Sequence, residues 1–190
     1  MKKYVIATAV AAAAFAPQAF AQAKNFEGFS VLGAVNVNST KAEVTVTTPA
    51  ATASDSKTTT NVGVQAEYGW ALGNDFVLGA GVTVGLSDLD LGSGAKIKNT
   101  VGLYVAPGFA VSKDSLVYAK LGSTSASVDI PGLSFDVSGM AYGIGFRSFT
   151  SKNVFFQGEY TYNKYDDKNF VNGKITATTG VLSLGVGYKF

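Results

Sequence analysis

The feature that most constrains this chain is an apolar alternation with a period of two, repeated along nearly its whole length. In "NVGVQAEYGWAL" (61–72), Val62, Val64, Ala66, Tyr68 and Trp70 fall on one side, and Gly63, Gln65, Glu67 and Gly69 on the other. Successive side chains of a strand point to opposite faces, so this pattern predicts a strand with one apolar face. Eight such runs occur, at 28–38, 61–72, 76–86, 99–111, 115–125, 138–148, 153–165 and 178–190, rich in Val, Tyr, Phe and Thr. No stretch after the N-terminal leader is long and uncharged enough for a membrane-spanning helix, which takes about 20 apolar residues.

The connections alternate in length. "GND", "SKD" and "FTSK" follow the second, fourth and sixth runs, whereas longer polar segments follow the odd-numbered ones. Short turns at one end and long loops at the other predict an all-β, closed, antiparallel, eight-stranded up-and-down transmembrane β-barrel, with both chain ends at the short-turn, periplasmic side. A soluble β-sandwich has the same sidedness, but three features favour the membrane. The less apolar face is mostly Gly, Ala and Ser, which suits the crowded interior of a narrow barrel better than a watered surface. Trp70, Phe76, Phe109, Phe146, Phe156, Tyr188 and Phe190 gather on the apolar face near the short turns, as an interfacial girdle does. Closure also removes the sheet edges that an exported apolar sheet would otherwise expose.

The first residues have a different character. Lys2 and Lys3 precede an apolar run, and Ala19-x-Ala21 and Ala21-x-Ala23 both offer cleavage spacing. Residues 1–23 are therefore expected to be a secretory signal peptide, cut after Ala21 or Ala23, with residues 24–190 forming the barrel. Fifteen Lys and Arg less Lys2 and Lys3 leave thirteen, equal to the thirteen Asp and Glu. A neutral mature chain carries no clustered basic face for nucleic acid. It also has no cysteine, so backbone pairing and burial must hold it without disulfides.

With its signal segment, its short-turn/long-loop alternation and its terminal Val186-x-Tyr188-x-Phe190, the chain resembles the small eight-stranded outer-membrane barrels of Gram-negative bacteria, the OmpA-like or opacity-porin-like transmembrane domain. The resemblance covers essentially the whole mature chain. It implies that Val186, Tyr188 and Phe190 form the signal read by the outer-membrane barrel assembly machinery. Full-length OmpA carries a peptidoglycan-binding domain after its barrel; none follows here, so anchoring to the cell wall is not expected.

Inside the barrel, the inward face carries Glu67, Lys120, Arg147 and Glu159, two charges of each sign. Unpaired ions in a lipid-jacketed interior are costly, so pairing across the lumen is expected, completed by Gln65, Gln157, Tyr104 and Tyr118. Glu67, Lys120 and Glu159 fall at similar heights and Arg147 nearer the turns. Leu116, Tyr104, Tyr118 and Phe155 are expected to fill the space beside the glycine-rich faces of the third, sixth and eighth runs. Similar interior charge clusters occur in the family that the chain resembles.

The chain has no histidine or cysteine, which removes His-based triads, thiol nucleophiles and the commonest metal ligand. Glu67 and Glu159 are better read as partners of Lys120 and Arg147 than as a carboxylate pair for catalysis. No catalytic residue, cofactor or metal site is expected. "GAGVTVG" (79–85) has the glycines of a nucleotide fingerprint but no following helix pattern. Asp88 with Asp90, and Asp166 with Asp167, read as solvated loop charge.

The leading expectation is a non-enzymatic protein that supports envelope structure and contacts surface or host ligands through four outer loops, in contact with outer-membrane lipid and lipopolysaccharide. In the first loop, "AEVTVTT" alternates and extends strand one, whereas "PAATASDSKTTT" has the composition of a mobile segment. In the third loop, "VDIPGLSFDV" is expected to expose Ile130, Leu133 and Phe135 for recognition. The alternatives are a small diffusion pore with a charge-gated lumen and a lipid-binding or lipid-modifying barrel; a break in pairing at Pro107 would favour the latter.

Overall fold

The structure, a computed structural model, describes residues 22–47, 50–92, 95–130, 133–170 and 173–190. The expected signal segment up to Ala21 lies outside the described residues. The strands are β1 (Gly28–Thr47), β2 (Ala50–Ala71), β3 (Phe76–Gly85), β4 (Leu89–Gly92), β5 (Ala95–Ser112), β6 (Ser115–Ile130), β7 (Leu133–Phe149), β8 (Val154–Tyr165), β9 (Lys168–Phe170) and β10 (Gly173–Lys189). The short β4 continues β3 along β5, and β9 continues the β8 side along β10, so the ten segments make eight staves.

All pairings are antiparallel, and the ring closes where β1 meets β10, in unbroken register from Ser30↔Lys189 to Val46↔Gly173. That seam excludes a sandwich, because a sandwich leaves its first and last strands at open edges. Outward residues are apolar over about five positions per stave, as in Phe29, Val31, Gly33, Val35 and Val37 on β1, before Ser39 and Lys41 take over. Five alternating positions span about 9–11 residues, the length needed to cross a bilayer. The aromatic ring at the short-turn end is present: Trp70, Phe76, Phe109, Phe146, Phe156, Tyr188 and Phe190 are all exposed. Tyr142, Tyr160 and Tyr162 are exposed nearer the loop end of the band.

The strands run further than the alternation suggested. β1 and β2 stay paired out to Thr47↔Ala50, so residues 50–60 of the Pro/Ala/Ser/Thr-rich half of the first loop are a strand and not a mobile segment, while Pro49 lies outside the described residues. Backbone pairing holds it there; with no lipid to meet, its side chains need no apolar period. The third loop is likewise drawn into a hairpin, with Ile130 paired to Leu133 and Val128 to Phe135. Its tip at 131–132 lies outside the described residues.

Large inward residues sit on inward glycines of the next stave, as expected. A Cβ on Gly145 would strike the Tyr118 ring, one on Gly187 the Phe155 ring, and one on Gly81 would come within 2.5 Å of the Tyr104 hydroxyl. The core is therefore the barrel interior, stacked in layers. Phe26, Val77, Leu116, Phe149 and Phe155 fill the short-turn end. A polar layer follows, and a second apolar cluster of Leu89, Ile97 and Ala126 lies toward the loops.

Candidate functional site

The polar layer holds the four inward charges, sorted into two pairs. Arg147 on β7 reaches across the lumen to Glu67 on β2, with Nη2 2.9 Å from Oε1. Lys120 on β6 meets Glu159 on β8, with Nζ 2.7 Å from Oε1. All four side chains are at most 7% exposed. Each carboxylate also takes a tyrosine hydroxyl: Tyr104 donates to Glu67 Oε2 at 2.9 Å and Tyr118 to Glu159 Oε2 at 2.8 Å. Arg147 Nε donates to Gln157 Oε1, and Thr161 Oγ1 donates to Glu159 Oε1. Tyr104 bridges the two halves, because Lys120 Nζ stands 4.1 Å above the ring whose hydroxyl serves Glu67.

This arrangement is electrically closed. Two cations and two anions cancel, and each carboxylate has a cation and at least one hydroxyl, which offsets the desolvation of the charges. Both carboxylates are thus engaged by a cation and by hydroxyl donors.

Gln65 departs from the expectation. Its Nε2 is buried with no protein partner among the described residues. It lies on the wall of a cavity of about 120 Å³ on the loop side of the ion layer, where the amides and hydroxyls of Asn36, Asn38, Asn61 and Thr83 stand among apolar groups such as Leu32 and Ile97. Such a cavity is roomy and polar enough for about four waters. Asn38 donates to Asn61, Ser183 to Asn36, and Thr40 and Thr179 share a hydrogen bond above it.

At the opposite end is a feature that the alternation did not signal. Ala23–Phe26 form one 3₁₀ turn inside the short-turn mouth, with Ala23 and Phe26 buried. Phe26 packs on Phe149, Phe149 on Phe155, and Arg147 lies 4.5 Å over Phe155. The stretch "AKNFEG" has no period of two, so a strand reading passes over it.

The remaining predicted positions lie apart from the lumen. Val186, Tyr188 and Phe190 are exposed on the lipid face, Phe190 at 71%. The Phe190 ring touches Phe29 and Tyr188, and its N–H donates to Phe29 O across the seam. Phe135 is half-buried in the β6–β7 hairpin rather than presented at a bare loop tip. Around Pro107 the β5–β6 pairing lapses at two residues, but the register is the same on either side (Val105↔Leu121, Gly108↔Tyr118). The missing proline donor explains the gap without a displaced strand.

The family model for the outer membrane protein beta-barrel domain matches residues 6–190. This chain belongs to that family. Outer-membrane barrels of the family share the layout described here: a lipid-facing apolar band, a polar interior and long hairpins at one end. The sequence matches none of the curated proteins compared with it. Among solved structures it is similar to Ail, the attachment invasion locus protein of Yersinia pestis, in complex with the heparin analogue sucrose octasulfate, at 17% identity and a TM-score of 0.51, covering 86% of this chain and 99% of that one. It is also similar to Neisserial surface protein A, at 21% identity and a TM-score of 0.48, over 83% and 97% of the two chains. A third is OprG of Pseudomonas aeruginosa, at 16% identity and a TM-score of 0.45, over 90% and 99%. At these identities the likeness is one of fold.

Proposed function

We propose that this outer-membrane barrel is a non-enzymatic scaffold that supports the envelope and presents outer hairpins for surface interaction. The supporting observation is a contrast between its two halves. Below the small cavity the lumen is closed by paired ions and stacked aromatics, whereas β1–β2 stays paired about ten residues beyond the apolar band. A protein built for passage would need an open path through that ionic and aromatic layer; this one closes the layer and extends its hairpins outward. The apolar band contacts outer-membrane lipid and lipopolysaccharide. Both termini face the periplasm, and Val186, Tyr188 and Phe190 address the chain to the barrel assembly machinery. Absence of histidine and cysteine, with both lumen carboxylates engaged, argues against an enzyme.

Recognition falls to the β1–β2 hairpin and to the β6–β7 hairpin that carries Ile130, Leu133 and Phe135. The Ail structure holds a heparin analogue, so sucrose octasulfate is a suitable first probe. Replacing residues 42–55 with an Asn-Gly turn, and separately shortening β6–β7, should abolish surface binding while the barrel stays folded. If both trimmed proteins keep every surface phenotype, only the envelope role stands.

A second reading, a small diffusion pore gated by the same charges, is favoured by the cavity above the ion layer. Planar-bilayer recording separates the two. The scaffold reading expects little or no conductance from the parent protein, and regular single-channel openings would replace it with the pore.

A further inference from the structure

We infer that the first residues of the mature chain are a stopper for the short-turn mouth of the barrel, and that this role sets processing after Ala21 rather than after Ala23. The inference rests on the exported, outer-membrane reading above.

The segment is tied into the mouth at several separate points. The Ala23 N–H donates to Asn74 O at 2.8 Å, in the β2–β3 turn. Asn25 Nδ2 donates to Lys113 O at 2.8 Å, in the β5–β6 turn. Asn25 O accepts from Lys189 Nζ at 2.7 Å, at the end of β10. Lys189 N–H in turn donates to Asn153 O, so the β7–β8 turn joins the same cluster. Two short turns and the last strand therefore bond the helical turn directly, and the third short turn is tied in through Lys189.

The barrel wall is cut to receive it. A Cβ on Gly69, an inward position of β2, would come within 2.5 Å of Phe26 O. Any other residue there would drive the segment out, so this glycine serves a close backbone approach. Phe26 is 2% exposed and forms the base of the Phe26, Phe149, Phe155 stack that ends under Arg147. The lumen is thus closed twice, by the stopper at the mouth and by the ion layer above it.

The processing point follows from burial. Ala23 is fully buried and its N–H is bonded to Asn74 O. Cleavage after Ala23 would remove that side chain and that bond, and would leave the new ammonium of Lys24 beside the gap. Cleavage after Ala21 keeps both the Ala23 side chain and its bond to Asn74. Water hydrolyses the Ala21–Gln22 amide, leaving a carboxylate on Ala21 and an ammonium on Gln22, one residue short of the buried turn.

Two measurements test this. The intact mass of protein purified from outer membranes should correspond to residues 22–190, with or without the loss of ammonia that an N-terminal glutamine undergoes. A chain beginning at Lys24 overturns the processing point. A chain retaining Met1 defeats the export reading instead. For the stopper, the absence of cysteine allows a single thiol at Val77→Cys, on the wall beside Phe26. Its reaction with a small charged methanethiosulfonate should be slow, and Phe26→Ala should speed it by about tenfold as the mouth opens locally. Asn25→Ala is the milder variant, read the same way if Phe26→Ala does not fold. Equal rates in parent and variant, both with the gel mobility of a folded barrel, overturn the stopper.

Discussion

Arg147 and Glu67 form an ion pair at 2.9 Å although β7 and β2 stand on opposite sides of the ring. The pair is a cross-brace: it ties together staves that share no backbone hydrogen bond. Its energetic signature differs from that of a surface pair, because both partners are buried and losing one leaves the other uncompensated.

Removal of one partner should therefore be worse than removal of both. Glu67→Leu or Arg147→Met alone should cost about 3–5 kcal/mol, while the double variant should recover most of that. Urea unfolding of the barrel in lipid vesicles measures it. Additive losses in the double variant would mean that the pair is not coupled.

The fit of ring onto glycine predicts a second cycle. Gly145→Ala sets a methyl group against the Tyr118 ring and should destabilise by about 1–3 kcal/mol through overpacking. Tyr118→Ala in the same chain should relieve the clash, although it opens a cavity of its own. A Gly145→Ala penalty that is unchanged in the Tyr118→Ala background counts against direct contact.

The depth of the apolar band can be read by charge scanning. Leu184→Arg lies mid-band and 62% exposed, where a lipid-facing arginine should cost about 2–4 kcal/mol. Ser123→Arg and Ser125→Arg lie at and beyond the band's outer edge and should cost about 0–1 kcal/mol. Equal penalties at all three sites would place the membrane elsewhere.

The outer hairpins should respond to acid before the barrel does. Hydrogen bonding from Lys98, then from Ser134, holds the Asp129 carboxyl below the usual aspartate range, and Lys174 with Thr176 does the same for Asp167. A lowered folded-state pKa contributes stability above the ordinary value of about 3.9. That contribution is lost as the pH falls through the folded value. Amide protection factors, corrected for the intrinsic pH dependence of exchange, should fall in β5–β6 and β9–β10 on acidification below about pH 4, with those of the lipid-embedded segments unchanged. Asp129→Asn should remove the dependence from β5–β6.

Much of this architecture was legible in the residues. The alternation of Val62 to Trp70 against Gly63 to Gly69 survives as lipid face against lumen face, and the bulk of Tyr104, Tyr118 and Phe155 does fall on glycines of the neighbouring staves. The extent of the strands was not legible. Residues 50–60 have a polar, Thr-rich composition, but a strand beyond the lipid pairs through its backbone and leaves no apolar period to read. Partner choice was only half legible, because height along a strand orders backbones whereas the long Arg147 side chain spans the lumen. Phe26 was missed for a different reason: it acts as a single residue in an irregular turn, and periodicity is blind to single residues.

The β1–β10 seam has a consequence for how the molecule forms. Every other stave pairs with a neighbour in sequence, but Ser30 must find Lys189 from the far end of the chain. Joining the ends of so long a loop is the slowest and entropically most demanding contact in the topology. Until it forms, two strand edges face hydrocarbon with unmet hydrogen bonds. Folding should therefore finish at this seam and unfolding should begin by tearing it, so the lifetime of the native barrel depends on the contacts around Phe29 and Phe190 more than on its total stability.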